Sequence, residues 1–132
     1  MGYRECKLND EVRIIIAGSR NFCDYNLLAT SVKEYLDTLD NSNIVIISGA
    51  ARGADQLGEQ FANEYRIQVK RFPANWNLYG KSAGPIRNRQ MAEYAAEGRG
   101  ILFAFWDGRS RGTYSMIDLA KKLGLEIHII NF

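Results

Sequence analysis

Apolar and amphipathic segments alternate along the chain, and the alternation predicts strands and helices in turn. Four apolar runs and one alternating segment predict strands at residues 12–17, 44–47, 67–72, 101–106 and 125–130. Apolar residues spaced three and four apart predict helices near residues 25–39, 55–66, 84–97 and 113–123, with a longer loop at 73–83. Asp24 suits the cap of the first helix, and Gly124 the stop of the last.

This order of elements is typical of βα units, which form parallel sheets. Right-handed crossovers then give an α/β fold, a doubly wound three-layer sandwich around a five-stranded, mainly parallel sheet. Such sheets bind ligands in the crevice beyond the carboxyl ends of their strands. We expect the strand order 3-2-1-4-5, which brings the loops after strands one, two and four together, although sequence alone does not fix it.

Composition predicts one domain over residues 1–132, with residues 1–11 as a short polar N-terminal extension. The 17 Lys and Arg against 15 Asp and Glu give a net charge of +2, too small to argue for nucleic acid or membrane. No apolar run approaches the roughly 20 residues that a membrane span needs. Cys6 and Cys23 form no CxxC motif, so we expect a reduced, cytoplasmic setting.

The most informative stretch is the turn between the second strand and the second helix. It contains Ser48, Gly49, Arg52, Gly53 and Asp55. Glycines permit a tight turn and a close ligand, and a helix N-terminus offers N–H groups and partial positive charge to an anion. Arg52 adds a bidentate cation. The alternative is an ordinary connection in which Asp55 is the N-cap of the helix.

Two further loops would share the same edge of the sheet. Gly18, Ser19 and Arg20 follow the first strand, and the segment from Asp107 to Thr113 follows the fourth. Gly112 and Thr113 lie at a helix start, where the Thr113 hydroxyl could cap the helix or contact a ligand oxygen. Several glycine-containing loops at one edge favour a ligand site over unrelated turns.

Arg87 continues the stripe of Met91, Tyr94 and Ala95 that is predicted to face the sheet. An unpaired charge within the core would cost several kcal/mol. We therefore expect the guanidinium to lie in the crevice at the strand ends, a surface salt bridge being the alternative. Arg89 and Arg99 fit a solvated face better.

Several common chemistries find no support in the sequence. It contains neither a P-loop motif nor G-x-G-x-x-G, so Walker-type hydrolysis and ordinary NAD binding are not indicated. The single histidine, His128, lies in the last strand and is expected to be structural. No Cys, His and Asp cluster has metal-ligand spacing, and no Ser-His-Asp set can be built. The catalytic residues, if any, stay unknown.

Taken together, these motifs resemble the SLOG superfamily, which includes the DprA (SMF) and LOG families. Ser48, Gly49, Ala51, Gly53 and Asp55 follow the DprA pattern S-G-x-A-x-G-x-D, and residues 87–89 its R-N-R. The loop of residues 18–20, the 75–81 loop, residues 85–88 and 112–113 are most similar to the YspA-like, YpsA-related branch. The resemblance covers residues 12–130.

The resemblance implies a Rossmann-like fold and a site for a nucleotide or a phosphorylated, nucleotide-derived ligand, with no established cofactor. It adds Lys81 and Asn88 to the ligand-binding candidates. Related DprA and LOG proteins self-associate, so it also implies a homodimer. Tyr94, Tyr114 and Met116 are candidate contacts, and each could equally belong to the core.

One position departs from the LOG pattern P-G-G-x-G-T-x-x-E, whose glutamate takes part in glycosidic cleavage. Met116 stands where that glutamate would be. A thioether can neither move a proton nor stabilise an oxocarbenium-like charge. We therefore expect binding without efficient LOG-type hydrolysis.

The leading hypothesis is a small cytosolic module that binds a nucleotide or a nucleotide derivative, in the role of a sensor. The first alternative is a nucleotide-processing enzyme, a phosphoribohydrolase or N-glycosidase, that uses Asp55 or Asp107 in place of the glutamate. The second is a DprA-like binder of single-stranded nucleic acid. Its contacts would come from Arg20, Arg52, Arg87, Arg89 and Trp76.

Overall fold

The computed structural model describes residues 11–39 and 43–132. Residues 1–10, most of the predicted N-terminal extension and including Cys6, lie outside the described residues. The described residues form strands β1 (Val12–Gly18), β2 (Ile44–Ser48), β3 (Gln68–Arg71), β4 (Arg99–Trp106) and β5 (Glu126–Asn131). Their helices are α1 (Tyr25–Leu36), α2 (Ala54–Glu64), α3 (Trp76–Tyr79), α4 (Ala83–Ala96) and α5 (Arg111–Lys122).

The strands form one sheet in the order β3-β2-β1-β4-β5, as the sequence predicted. Each pairing is parallel, and Ile15 in the central strand β1 pairs with Ile47 on one side and Leu102 on the other. The chain leaves β1 towards β2 and later returns to β4 on the opposite side. The order of strands therefore reverses between β1 and β4, which is where doubly wound folds bind their ligands.

Apolar side chains cover both faces of the sheet, because successive strand residues point to opposite sides. On one face, Ile14, Ile46 and Phe103 belong to a buried cluster with residues of α1 and α2. On the other face, Ile15, Ile47 and Leu102 belong to a second cluster with residues of α4 and α5. Each buried large side chain contributes about 1.5–3 kcal/mol. The three-layer sandwich is thus confirmed.

Two helix starts differ from the prediction. Gly53, with φ +82°, is the N-cap of α2, so Asp55 lies in the first turn and is not the cap. Ser110 is the N-cap of α5, and its Oγ accepts a hydrogen bond from the Thr113 N–H at 3.3 Å. Thr113 is therefore not the cap. Both caps lie before the predicted residue. A cap residue has non-helical backbone dihedral angles, and Gly53 and Ser110 are the residues that have them.

The predicted loop at residues 73–83 contains regular structure. Asn75 caps the short helix α3 by accepting a hydrogen bond from the Leu78 N–H at 3.1 Å. A 3₁₀ turn (Gly80–Ser82) then leads directly into α4. The apolar side chains here lie largely exposed, so burial gave no signal of a helix. The first helix also ends at Leu36, three residues before its predicted end.

The single histidine and the three candidate dimer contacts lie in different environments. The ring of His128 stacks on Phe103 with centroids 4.6 Å apart, which agrees with a structural role. Met116 is only 1% exposed and belongs to the core. Tyr94 lies beneath the Arg13 guanidinium, whose carbon is 3.9 Å from the ring centroid. Tyr114 is 59% exposed and is the candidate dimer contact with the most open surface.

The helices within residues 11–39 and 43–132 include none that is long and apolar enough to cross a membrane.

Candidate functional site

A cavity of about 440 Å³ lies at the carboxyl ends of β1 and β4, where the strand order reverses. We call it the rim cavity. Its lining comes from the loop after β1, the start of α2, the inner face of α4, and the loop that leads from β4 into α5. Its volume falls within the roughly 300–1,000 Å³ of typical small-molecule pockets. The predicted crevice is therefore present in the folded chain.

The floor of the rim cavity is apolar and its walls are polar. Met91, Met116 and Ala17 reach the cavity from the core cluster between the sheet and helices α4 and α5. Arg20, Asn21 and Thr113 are among the polar side chains that line it. Such a combination suits a ligand with one apolar ring system and a charged or hydroxylated remainder.

The loop after β1 is held against the end of β4. The Ser19 N–H donates to the carbonyl oxygen of Phe105 at 3.0 Å, and the Asp107 N–H donates to Ser19 Oγ at 3.2 Å. Ser19 is 2% exposed, whereas Arg20 next to it is exposed and lines the cavity. The buried serine thus fixes the loop and leaves the adjacent arginine available to a ligand.

Arg87 connects helix α4 to the turn after β2. Its Nη1 donates to the Gly49 carbonyl oxygen at 2.5 Å, and its Nε donates to Asn88 Oδ1 at 2.9 Å. Asn88 in turn donates through Nδ2 to the Gly112 carbonyl oxygen at 3.3 Å, which links α4 to the start of α5. These contacts orient the guanidinium at the edge of the cavity, as the sequence had predicted for it.

Asp55 lies behind the same turn and is only 6% exposed. Its Oδ2 accepts a hydrogen bond from the Ala51 N–H at 3.2 Å. Burial raises the pKa of Asp55 to about 6, against the opposing effects of this N–H and of Arg87. Burial also lowers the pKa of Arg87, an effect that Asp55 opposes. The carboxyl can therefore carry a proton at mildly acidic pH.

Asp107, the other acid at the rim, is in the opposite situation. Its Oδ1 accepts hydrogen bonds from the N–H groups of Arg109 at 2.8 Å and Ser110 at 2.9 Å. These two bonds hold the pKa of Asp107 below its ordinary value. Asp107 therefore organises the turn before α5 as a carboxylate, whereas Asp55 is the acid that can exchange a proton near neutrality.

A second cavity of about 310 Å³ adjoins the first, and we call it the turn cavity. Gly49, Ala50 and Arg52 of the turn after β2 line it from one side, and Pro73, Ala74 and Trp76 from another. Arg20, Ala51 and Arg87 line both cavities. The glycine turn thus faces the turn cavity more than the rim cavity.

The structure distributes the predicted site residues over three places. Nine line the rim cavity: Gly18, Ser19, Arg20, Asp55, Arg87, Asn88, Asp107, Gly112 and Thr113. Gly49 and Arg52 line the turn cavity. Ser48, Gly53 and Lys81 line neither of these two cavities.

The three residues outside the cavities have identifiable positions. Ser48 is fully buried and donates through Oγ to Glu59 Oε2 at 2.6 Å. Gly53 packs against the backbone of Ser19 and Arg20, so closely that a side chain would overlap it. Lys81 is exposed on the 3₁₀ turn. The first two support the turn from behind, and the lining gives no support to a ligand contact for Lys81.

Other lining residues were missing from the predicted set. In the rim cavity these are Ala17, Asn21, Ala51, Met91, Ser110 and Met116. Asn21 and Ser110 lie in the loops after β1 and β4, so their position after a strand was the available signal. Met91 and Met116 gave no such signal, because a floor residue has the same sequence pattern as a core residue.

The described residues contain no group of three or more His, Cys, Asp or Glu side chains that could hold a metal ion.

Comparison with known proteins gives three findings. The model of the YspA, cpYpsA-related SLOG family matches residues 12–79. The Gene 61 protein of Mycobacterium phage D29 is 34% identical over 128 residues, covering 91% of this chain and 95% of that protein. The X-ray structure of DNA processing protein A (DprA) from Streptococcus pneumoniae matches with a TM-score of 0.67 at 20% identity, over 95% of this chain and 52% of DprA. That likeness shows the fold, and this chain spans about half the length of DprA.

Proposed function

The chain belongs to the YspA, cpYpsA-related SLOG family, and on this premise we propose that its rim cavity binds a nucleotide or a nucleotide-derived ligand. The observation that carries the proposal is the position of Arg87 and Arg20 on a cavity at the reversal of strand order. Doubly wound folds bind ligands at this place, and arginines recognise phosphate through paired hydrogen bonds. The module binds without turnover, in the role of a ligand sensor.

The phosphate would lie between the two arginines and the start of α2. This helix has 11 residues, and no side chain caps its N-terminus. Its first N–H groups and its partial positive charge therefore favour an anion. Each charge-assisted hydrogen bond contributes roughly 1.5–3 kcal/mol. The nucleoside would lie over the apolar floor of Met91 and Met116.

A specific observation favours an enzyme as the second candidate function. Asp55 is a buried carboxyl in the rim cavity, close to Arg87, and its pKa is raised to about 6. General acids in glycosidases are carboxyls with raised pKa values. Asp55 could therefore protonate a leaving base, in the place of the glutamate that LOG proteins have. Its bond to Ala51 and the methionine at position 116 count against this candidate.

Calorimetric titration with adenosine, guanosine, cytidine and uridine 5′-monophosphates tests the proposed function. At least one should bind, and Arg87→Ala should weaken it about tenfold or more, since one lost charge-assisted contact exceeds about 1.4 kcal/mol. Arg20→Ala serves as a second variant, because Arg20 is exposed and its loss should leave the fold intact. Arg89→Ala, at an exposed arginine 3.6 Å from Glu93, is the matched control and should change nothing.

Absence of binding for all four nucleotides, or equal affinity in the wild type and both variants, would contradict the proposal.

A further inference from the structure

The two cavities are neighbours with a shared wall. Arg20, Ala51 and Arg87 line both, so the arginines stand at the junction and not at a closed end. With volumes of about 440 and 310 Å³, each reaches the roughly 300 Å³ at which small-molecule pockets begin. A mononucleotide in the rim cavity would place its phosphate at this junction and leave the turn cavity open.

The charge at the junction suits more than one negative group. Arg20 and Arg87 stand at the shared wall, and Arg52 lines the turn cavity beside them. Among the described residues that line the turn cavity, none is acidic. The rim cavity is lined by two acids of the described chain, Asp55 and Asp107. Three arginines against two acids leave a net positive charge at the junction.

The far wall of the turn cavity carries an aromatic ring. Trp76 is 52% exposed and lines this cavity with Pro73 and Ala74. Its ring lies beside the start of α4, since a Cβ built on Gly84 would be 3.7 Å from Trp76 Cη2. Exposed tryptophans next to cationic grooves stack on the bases of nucleotides with little preference among them. The tryptophan thus offers a platform for a second ring system.

We propose that the ligand has two nucleoside-like units joined by a phosphate bridge, as in a dinucleotide. One unit occupies the rim cavity, the bridge lies against Arg20 and Arg87, and the second ring stacks on Trp76. This inference rests on the proposed binding of a nucleotide in the rim cavity and adds the class of ligand.

The test compares adenosine 5′-monophosphate with two adenosines joined through a 5′,5′-diphosphate, and repeats the pair with guanosine. In at least one series the dinucleotide should bind about tenfold more tightly or better. Trp76→Ala should abolish this difference and leave mononucleotide affinity unchanged, whereas Trp76→Phe should retain it. Binding of the dinucleotide should also quench the fluorescence of Trp76, and this quenching should be absent in Trp76→Phe. Leu78→Ala, at a side chain 67% exposed on the same helix, is the control and should behave as wild type.

The contrary outcomes separate the inference from the proposed function. If the mononucleotide binds and the dinucleotide binds no better, the inference is wrong and the proposed function stands. If neither binds in either series, the inference is wrong, and the proposed function is wrong as well if cytidine and uridine 5′-monophosphates also fail to bind. If a 12-nucleotide thymidine oligomer binds more tightly than the dinucleotide, with an affinity that falls steeply with salt, the crevice is a nucleic-acid surface and the inference is overturned.

Discussion

The guanidinium of Arg87 donates a hydrogen bond to the carbonyl oxygen of Gly49, with 2.5 Å between Nη1 and the oxygen. This bond joins the start of α4 to the turn after β2, two segments 38 residues apart in the sequence. A Cβ built on Gly49 would lie 2.7 Å from Arg87 Nη1 and equally close to Asp55 Oδ2. The glycine therefore leaves the space in which the cation and the buried acid approach the turn.

Gly49→Ala should displace Arg87 and Asp55 and weaken nucleotide binding tenfold or more. The overlap should also lower the free energy of unfolding by about 1–3 kcal/mol, the usual cost of overpacking. Gly112→Ala is the control for stability, because a Cβ there meets nothing within 4 Å. Urea denaturation of both variants measures the difference. Equal stability and equal binding for Gly49→Ala would show that the turn does not need this space.

Asp55 should make the stability depend on pH in a definite direction. Its folded pKa of about 6 lies above the ordinary 3.8, so the folded state binds the proton more tightly. The associated stability is complete below about pH 4 and is lost as the pH rises through about 6. At 1.36 kcal/mol per pKa unit, the loss is on the order of 3 kcal/mol.

Asp55→Asn should therefore gain stability relative to the wild type as the pH rises from about 4 to 7.5, by up to about 3 kcal/mol. Chemical denaturation across this range measures the difference, with Glu34→Gln, at an exposed carboxylate on α1, as the control. A constant difference between Asp55→Asn and the wild type at all pH values would contradict the raised pKa.

The chain should release no free base from nucleoside 5′-monophosphates beyond background. The permanently charged Arg87 cannot donate or accept a proton, Asp107 is held as a carboxylate, and position 116 has a methionine where LOG proteins have a glutamate. Chromatography after long incubation measures the release. Base release that both Arg87→Ala and Asp55→Asn abolish would instead establish the enzyme as the function.

Met116→Glu should not simply restore LOG-type activity, because Met116 is 1% exposed and belongs to the core. A carboxylate there is expected to cost several kcal/mol of stability. Met116→Leu, which conserves volume, should cost less than about 1.5 kcal/mol. A Met116→Glu protein as stable as the wild type would place this side chain in solvent and not in the cavity floor.

A homodimer remains a prediction, and Tyr114 is its most open candidate contact. Its ring is 59% exposed and lies 6.0 Å from that of Trp106, so the two form an aromatic pair near the rim. Tyr114→Asp should convert a dimer into a monomer in light scattering, whereas Tyr65→Asp, at an exposed ring directly after α2, should not. A monomeric wild type would refute the dimer.

The fold was largely predictable because four strands are distinct apolar runs, the third alternates, and each of the four long helices has an apolar stripe. The parallel sheet and the position of Arg87 followed from these patterns. The Asp24 cap of α1 was also predicted correctly, and its Oδ1 accepts a hydrogen bond from the Leu27 N–H at 3.0 Å. The caps of α2 and α5 were not predicted, because Asp55 and Thr113 are as plausible from the local sequence as the true caps, Gly53 and Ser110. Helix α3 was missed because Trp76 and Leu78 remain exposed and give no pattern of burial.

The division of the site into two cavities could not be predicted either. Residues 48–55 and residues 18–20 end neighbouring strands, which suggested one pocket. In the folded chain Arg20, Ala51 and Arg87 stand between the two spaces, and Trp76 closes the second from a distant part of the sequence. That arrangement depends on side-chain directions, which spacing along the chain does not specify.

Amide chemical-shift mapping locates a bound nucleotide on the protein and so shows whether the rim cavity is its site. Titration of isotopically labelled protein with the tightest-binding nucleoside 5′-monophosphate should move the N–H signals of Ser19, Asp55 and Gly112 together, with one saturating affinity. The signal of Ile129, an exposed residue in the edge strand β5, should stay in place. Saturable shifts that avoid residues 18–20, 55 and 112, or no saturable shift with any nucleotide, would show that the rim cavity is not a nucleotide site.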